Sequence, residues 1–135
     1  MLWPVAANIA LAIALYLRLA HVKQQEIKAG NVTRDDVAIN QEMWPVPVRL
    51  INNNLRNQFE TPVLFYVTSF MLLSMGKATN ATLGIAVAYV VVRCTHSFIH
   101  VTSNHGNART ASFVASVALL SVLFGFAVSG LIDLS

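Results

Sequence analysis

Apolar positions fall into four long blocks along this chain, and one extended polar segment separates the first block from the second. Leu2 to Leu17 carries no charge, and Arg18 and His21 follow it. A long basic side chain at the end of such a block snorkels to a membrane–water interface. The block reads as a retained first span over about residues 2–21. A secretory signal peptide needs basic residues ahead of its apolar core, and Met1–Pro4 has none. Trp3 suits the interfacial aromatic belt. Residues 22–47 mix both signs of charge and read as a connecting loop. Within it, Ala29-Gly30-Asn31 is a helix stop, and Thr33 followed by Asp35 and Asp36 is a new helix start. Each proline of Trp44-Pro45-Val46-Pro47 biases its predecessor away from helix, so this tetrapeptide is expected to be extended.

The second span is expected over about residues 48–75. It begins as a polar helix surface, Arg49 to Gln58, and continues into the apolar run after Thr61. Pro62 lacks an N–H and is expected to kink the helix near residues 58–62. Gly76 to Asn80 forms a tight turn into a third span over about residues 81–104. Ser103 to Ala108 is the next turn, with Gly106 as the expected left-handed position. The fourth span, about 110–132, has no charge, with Arg109 at its entrance and Asp133 beyond its end. It carries small residues four apart, at Ala111/Ala115, Ser112/Ser116 and Gly125/Ser129, which permit close helix packing. The predicted architecture is an all-α integral membrane protein, a four-transmembrane-helix antiparallel bundle forming a single domain over residues 1–135.

Composition supports this reading. Only 11% of the 135 residues are charged and 56% are hydrophobic. Soluble domains average about 25% charged, so this chain has too few charges to cover a water-facing surface. The formal net charge is +3 and the pI about 9.4, but the basic residues flank apolar blocks and form no basic–aromatic repeat, which points to a membrane and not to nucleic acid. Arg18, Lys23, Lys28, Arg34, Arg49, Arg56 and Arg109 fall on the side of the first and third loops, and Lys77 on the other. The positive-inside rule then places loops one and three in the cytoplasm and both termini outside.

The candidate chemistry lies where three blocks meet. Asn53, Asn57 and Glu60 are spaced by four and three, and therefore share a helical face. Arg93, His96 and His100 form a second stripe at the same spacings, inside a span, where ionisable groups face a bundle interior or wet cavity. Arg109 opens the fourth span. This mixture suits a zwitterionic ligand: a carboxylate for an ammonium, Arg and His for carboxylates, Asn for amides, and an Arg to favour a thiolate. Plainer readings stand beside these. Arg93 and Glu60 can be a buried structural ion pair, and Arg109 a positive-inside anchor. His96 and His100 have metal-ligand spacing, but no acid or Cys on their stripe completes a set, so no metal is assigned. Cys94 faces off the stripe and reads as a packing residue.

In this order, Asn57-Gln58-Phe59-Glu60-Thr61-Pro62, Arg93-Cys94-Thr95-His96 and Arg109-Thr110 resemble the motifs of MAPEG, the membrane-associated proteins in eicosanoid and glutathione metabolism, over nearly the whole chain. The last two are similar to motifs of its prostaglandin-E-synthase branch. The resemblance implies a homotrimer with glutathione as co-substrate between subunits at the cytoplasmic side. It implies transferase or peroxidase chemistry on lipophilic electrophiles, in a protein like the short members of bacterial inner membranes. Carried over, Asn57 and Glu60 hold the glutathione backbone, Arg93 and His96 line the same pocket, Arg109 stabilises the thiolate, and Thr110 replaces a family Ser near the sulfur. Asn53 stands where the family often has Arg, and His100 where it has Tyr; both are kept as cofactor-binding candidates. Pro62 comes two residues after the acid, where the family usually has four. The alternative is a non-catalytic member of the same fold that binds a lipid or a partner. A small haem- or metal-binding bundle built on His96 and His100 is a third possibility.

Overall fold

The computed structural model of the chain describes residues 1–133. Six helices follow one another: α1 (Leu2–Lys28), α2 (Arg34–Ile39), α3 (Val46–Asn57), α4 (Thr61–Ser74), α5 (Asn80–Val101) and α6 (Gly106–Ile132), with a single 3-10 turn at Gln41–Met43. α1 does not end near residue 21. It continues through Val22–Lys28, because Lys, Gln and Glu are good helix formers and the first stop signal comes later. That stop is Gly30 (φ 75). Its N–H bonds the Ile27 carbonyl, and the Asn31 N–H bonds that of Glu26, the pairing that closes a helix end around a left-handed residue. Gly76 (φ 67) ends α4 in the same way, with bonds from Gly76 to Leu73 and from Lys77 to Leu72.

Thr33 caps α2 through reciprocal bonds with Asp36. Of the four residues expected to be extended, Trp44 (ψ 136) and Pro45 (ψ 153) are, whereas Val46 and Pro47 open the first turn of α3, where the N–H that Pro47 lacks leaves no bond unmade. The second block also differs from the sequence expectation. Instead of one kinked helix over 48–75, there are two helices with residues 58–60 between them. Pro62 has no N–H for the Gln58 carbonyl, and Glu60 (φ −99, ψ −99) leaves helical geometry. Left-handed backbone before α6 falls on Asn104 (φ 48) and not on Gly106, which is the first residue of α6. Asn tolerates this region better than most residues with a Cβ.

Two cores hold the bundle. In one, Val5 of α1, Phe65 and Leu72 of α4, Tyr89 of α5, and Leu123 and Ala127 of α6 meet. The Phe65 and Tyr89 rings stack there at 4.4 Å. In the other, Leu15 and Leu19 of α1 pack with Val37, Trp44, Val48, Ile51 and Leu55. α6 lies along α5 and α4, and α1 along α3, α4 and α5. Of the expected small pairs on α6, Ser116 is buried, with Ser112 half-buried one turn before it. Ala111, Ala115, Gly125 and Ser129 face outward.

The outer surface carries Leu17, Leu64, Val91, Phe98 and Val122, each at least half exposed. A water-soluble protein of this size does not present so continuous an apolar surface. Three helices, α1, α5 and α6, are long and apolar enough to cross a bilayer. α4, with 14 residues, reaches only about 21 Å against roughly 30 Å of hydrocarbon.

Candidate functional site

The end of the bundle that holds α3 contains the polar site. α3 has two parallel rows four residues apart. Asn54 and Gln58 point inward, and Asn53 and Asn57 point toward α6. The inward row knots to α5: Asn54 donates to the Ser97 carbonyl (3.3 Å), the Ser97 hydroxyl donates to Asn54 Oδ1 (3.1 Å), and Gln58 donates to the Ser97 hydroxyl (3.0 Å). All three residues are buried. Hydrogen bonds between helices in an apolar setting fix their rotation and register. The knot therefore sets which way the Asn53/Asn57/Glu60 face is turned.

Facing that surface is a cavity of about 380 Å³ lined by Asn53, Asn57, Glu60, His96, His100, Arg109, Thr110 and Phe113. Three blocks separated in sequence thus supply one wall each. Of the residues that sequence reasoning selected, Arg93 alone is not in the lining. It lies behind the wall, fully buried, and its Nη2 donates to the Asn57 backbone carbonyl at 2.8 Å. The helix break frees that carbonyl, since no regular helical turn follows Asn57, and a guanidinium suits the negative end of a helix. The expected pairing of Arg93 with Glu60 is not formed. Among the described residues the ion pair is Lys77–Asp133 (2.7 Å), on the short-loop side of the bundle.

His96 is held in one tautomer. The Ser112 hydroxyl donates to the Arg109 carbonyl (2.9 Å), and His96 Nδ1 lies 3.1 Å from both of those oxygens. With the hydroxyl proton committed, Nδ1 faces only lone pairs and carries the proton. Nε2 is then a buried acceptor without a protein partner. His100, edge-on to His96 at 5.8 Å, leaves its Nδ1 without a partner as well. No group of three or more His, Cys, Asp or Glu among the described residues is placed to hold a metal ion.

Arg109 is half-buried, and its Nη1 donates to the side chain of Asn104 at 2.8 Å. The left-handed residue of the turn therefore orients the cation at the cavity's edge. Thr110 is exposed beside it. Cys94 is exposed on the outer face of α5 and belongs to neither core, which corrects its reading as a packing residue.

Sequence reasoning missed Asn54, Gln58, Ser97, Asn104, Ser112 and Phe113. The doubled spacing Asn53/Asn57 and Asn54/Gln58 was a usable signal for the buried row. So was an Asn in a turn, where left-handed backbone is common. Nothing local marked Ser97 or Ser112, whose roles depend on which helix lies opposite.

One turn from this cavity, a second opening of about 300 Å³ runs between α4 and α6, walled by Leu64, Val67, Met71, Val117, Leu120 and Phe124. Thr61 lines this opening and Glu60, the residue before it, lines the polar cavity, so an apolar and a polar chamber adjoin at the helix break. The acid, amide, imidazole and guanidinium set fits the charged ends and amide groups of a small peptide. The polar volume lies within the range of small-molecule sites.

No curated protein and no solved structure matches the chain significantly. The family model described as MAPEG family matches residues 1–129. With that match over nearly its full length, the chain belongs to the MAPEG family and is an integral membrane protein of the group named for eicosanoid and glutathione metabolism.

Proposed function

We propose that this protein is a membrane-bound glutathione-dependent transferase or peroxidase acting on lipophilic electrophiles. The observation that carries the reading is the meeting of Asn57 and Glu60 with His96 and Arg109 around one polar cavity that adjoins an apolar opening. In this reading Glu60 takes the ammonium of glutathione, and Asn53 and Asn57 take its amide groups. His96 offers an acceptor nitrogen and His100 an unpaired Nδ1, with Thr110 near the sulfur. Arg109 stabilises the thiolate, which attacks the electrophile's carbon as its leaving group departs with the electron pair. Arg93 acts from behind, by fixing the Asn57 backbone. The lipophilic substrate lies in the α4–α6 opening, whose walls offer it few polar contacts.

The chain crosses the membrane four times in this reading, the second time through α3 and α4 together with the break between them at the interface. Loops one and three are cytoplasmic and both termini outside, as the distribution of basic residues supports. Three copies assemble, with a neighbouring subunit closing the open side of each polar cavity.

The test is conjugate formation between glutathione and a chlorodinitrobenzene by detergent-purified protein. Arg109→Ala lowers kcat/KM by more than about tenfold, roughly 1.4 kcal/mol. Unchanged turnover in that variant removes Arg109 from the chemistry. Absence of turnover together with no shift of the unfolding temperature at millimolar glutathione favours the alternative, a non-catalytic member that binds a lipid or a partner.

A further inference from the structure

A third opening, of about 420 Å³, lies where the end of α1 meets α2 and the 3-10 turn, away from the polar cavity. α1 has 27 residues and is about 40 Å long, against roughly 30 Å of hydrocarbon. With its charge-free segment in the bilayer, the turns after Arg18 stand at headgroup level, and they form one wall of this opening through Lys23, Gln24 and Ile27. Arg34, Gln41 and Trp44 face them. Trp44 is buried, and the Lys23 ammonium lies 4.9 Å over its ring, a contact that holds a cation in place without neutralising it.

The signs of charge decide what fits. The polar segment contains Glu26, Asp35, Asp36 and Glu42, and none of them lines the opening, whereas both Lys23 and Arg34 do. Glu26 is turned to Asn31 (2.6 Å) and Asp36 to Thr33. Neither Lys23 nor Arg34 makes an ion pair among the described residues. We infer that this opening binds the phosphate of an anionic phospholipid of the adjoining leaflet, with Lys23 and Arg34 on the phosphate oxygens, Gln24 and Gln41 on the headgroup hydroxyls, and Ile27 and Trp44 against the first carbons of the chains. Two cations at the surface of an anionic leaflet each add to binding, and the attraction decreases with salt.

The test measures lipid retained on the intact, detergent-purified protein by native mass spectrometry, with unfolding temperature in parallel. Phosphatidylglycerol is expected to bind and to raise the unfolding temperature, phosphatidylcholine to do so far less, and glycerol phosphate in solution not at all. The double variant Lys23→Gln/Arg34→Gln is expected to lose about tenfold in phosphatidylglycerol affinity and to keep its unfolding temperature in lipid-free detergent. If that variant is less stable without lipid, Arg34→Gln alone, at an exposed position, provides the comparison. Equal binding of the two lipids, or undiminished phosphatidylglycerol binding in the variants, overturns the inference. An equal response to glycerol phosphate does so too, since it marks a soluble-anion site. Neither residue lines the glutathione cavity, so this result is independent of the proposed chemistry.

Discussion

Arg93 of α5 donates its Nη2 to the backbone carbonyl of Asn57 at 2.8 Å, across the break that Pro62 imposes on the second apolar block. The cation that sequence reasoning placed in the cavity instead closes the end of α3. Its position keeps the carbonyl satisfied and Asn57 at the cavity wall. Replacing it with Ala leaves an unpaired buried carbonyl and a void the size of a long side chain. Arg93→Ala is expected to lower the stability of the purified protein by about 2–5 kcal/mol, measured by unfolding in mixed detergent. A loss below about 0.5 kcal/mol contradicts the capping role.

Ser97 serves three bonds at once, two with Asn54 and one with Gln58. Ser97→Ala leaves the Asn54 and Gln58 side chains short of partners in a buried setting, and is expected to cost about 1–3 kcal/mol. Because the same helix carries Asn53 and Asn57, glutathione affinity is expected to decrease as well. An equilibrium titration of the variant separates that effect from instability.

Asn104 combines left-handed backbone (φ 48) with a side-chain bond to Arg109 (2.8 Å). Glycine keeps the first and removes the second. Asn104→Gly is therefore expected to leave stability within about 1 kcal/mol of the starting protein and to lower turnover, by less than Arg109→Ala does. Asn104→Ala loses both and is expected to be the less stable of the two. Equal turnover in wild type and Asn104→Gly shows that Arg109 needs no such orientation.

The Lys77–Asp133 pair is a control at the other end of the bundle. Its side chains are 38% and 58% exposed, so water and salt screen it. Asp133→Asn is expected to change stability by less than about 1 kcal/mol, and the difference is expected to vanish in high salt.

How much of this was legible in the chain depends on the range of each cause. The Gly30 stop, the turn that begins at Gly76 and the Thr33 cap act within a few residues, and the structure has each at its expected place. Seven chosen side chains converge because helical spacing and span order fix both face and depth. The sequence predicts only a kink at 58–60, where the structure has a break, because proline's local effect does not reveal how far the flanking segments diverge. That depends on what packs around them, here Arg93 on the freed carbonyl and Ser97 on the buried amide row. Polar composition alone reads as loop past residue 21, yet α1 continues to Lys28, because those residues favour helix wherever no breaker intervenes.

The account depends most directly on glutathione entering the cavity between α3 and α6, and this is tested by the unfolding temperature of the purified protein titrated with glutathione, wild type against Glu60→Ala. A ligand that binds only the folded state raises that temperature as its concentration passes Kd. The account predicts a saturable rise for the wild type at millimolar glutathione, and a rise that is absent or needs about tenfold more glutathione in Glu60→Ala. No rise in the wild type, or the same rise in both proteins, contradicts it.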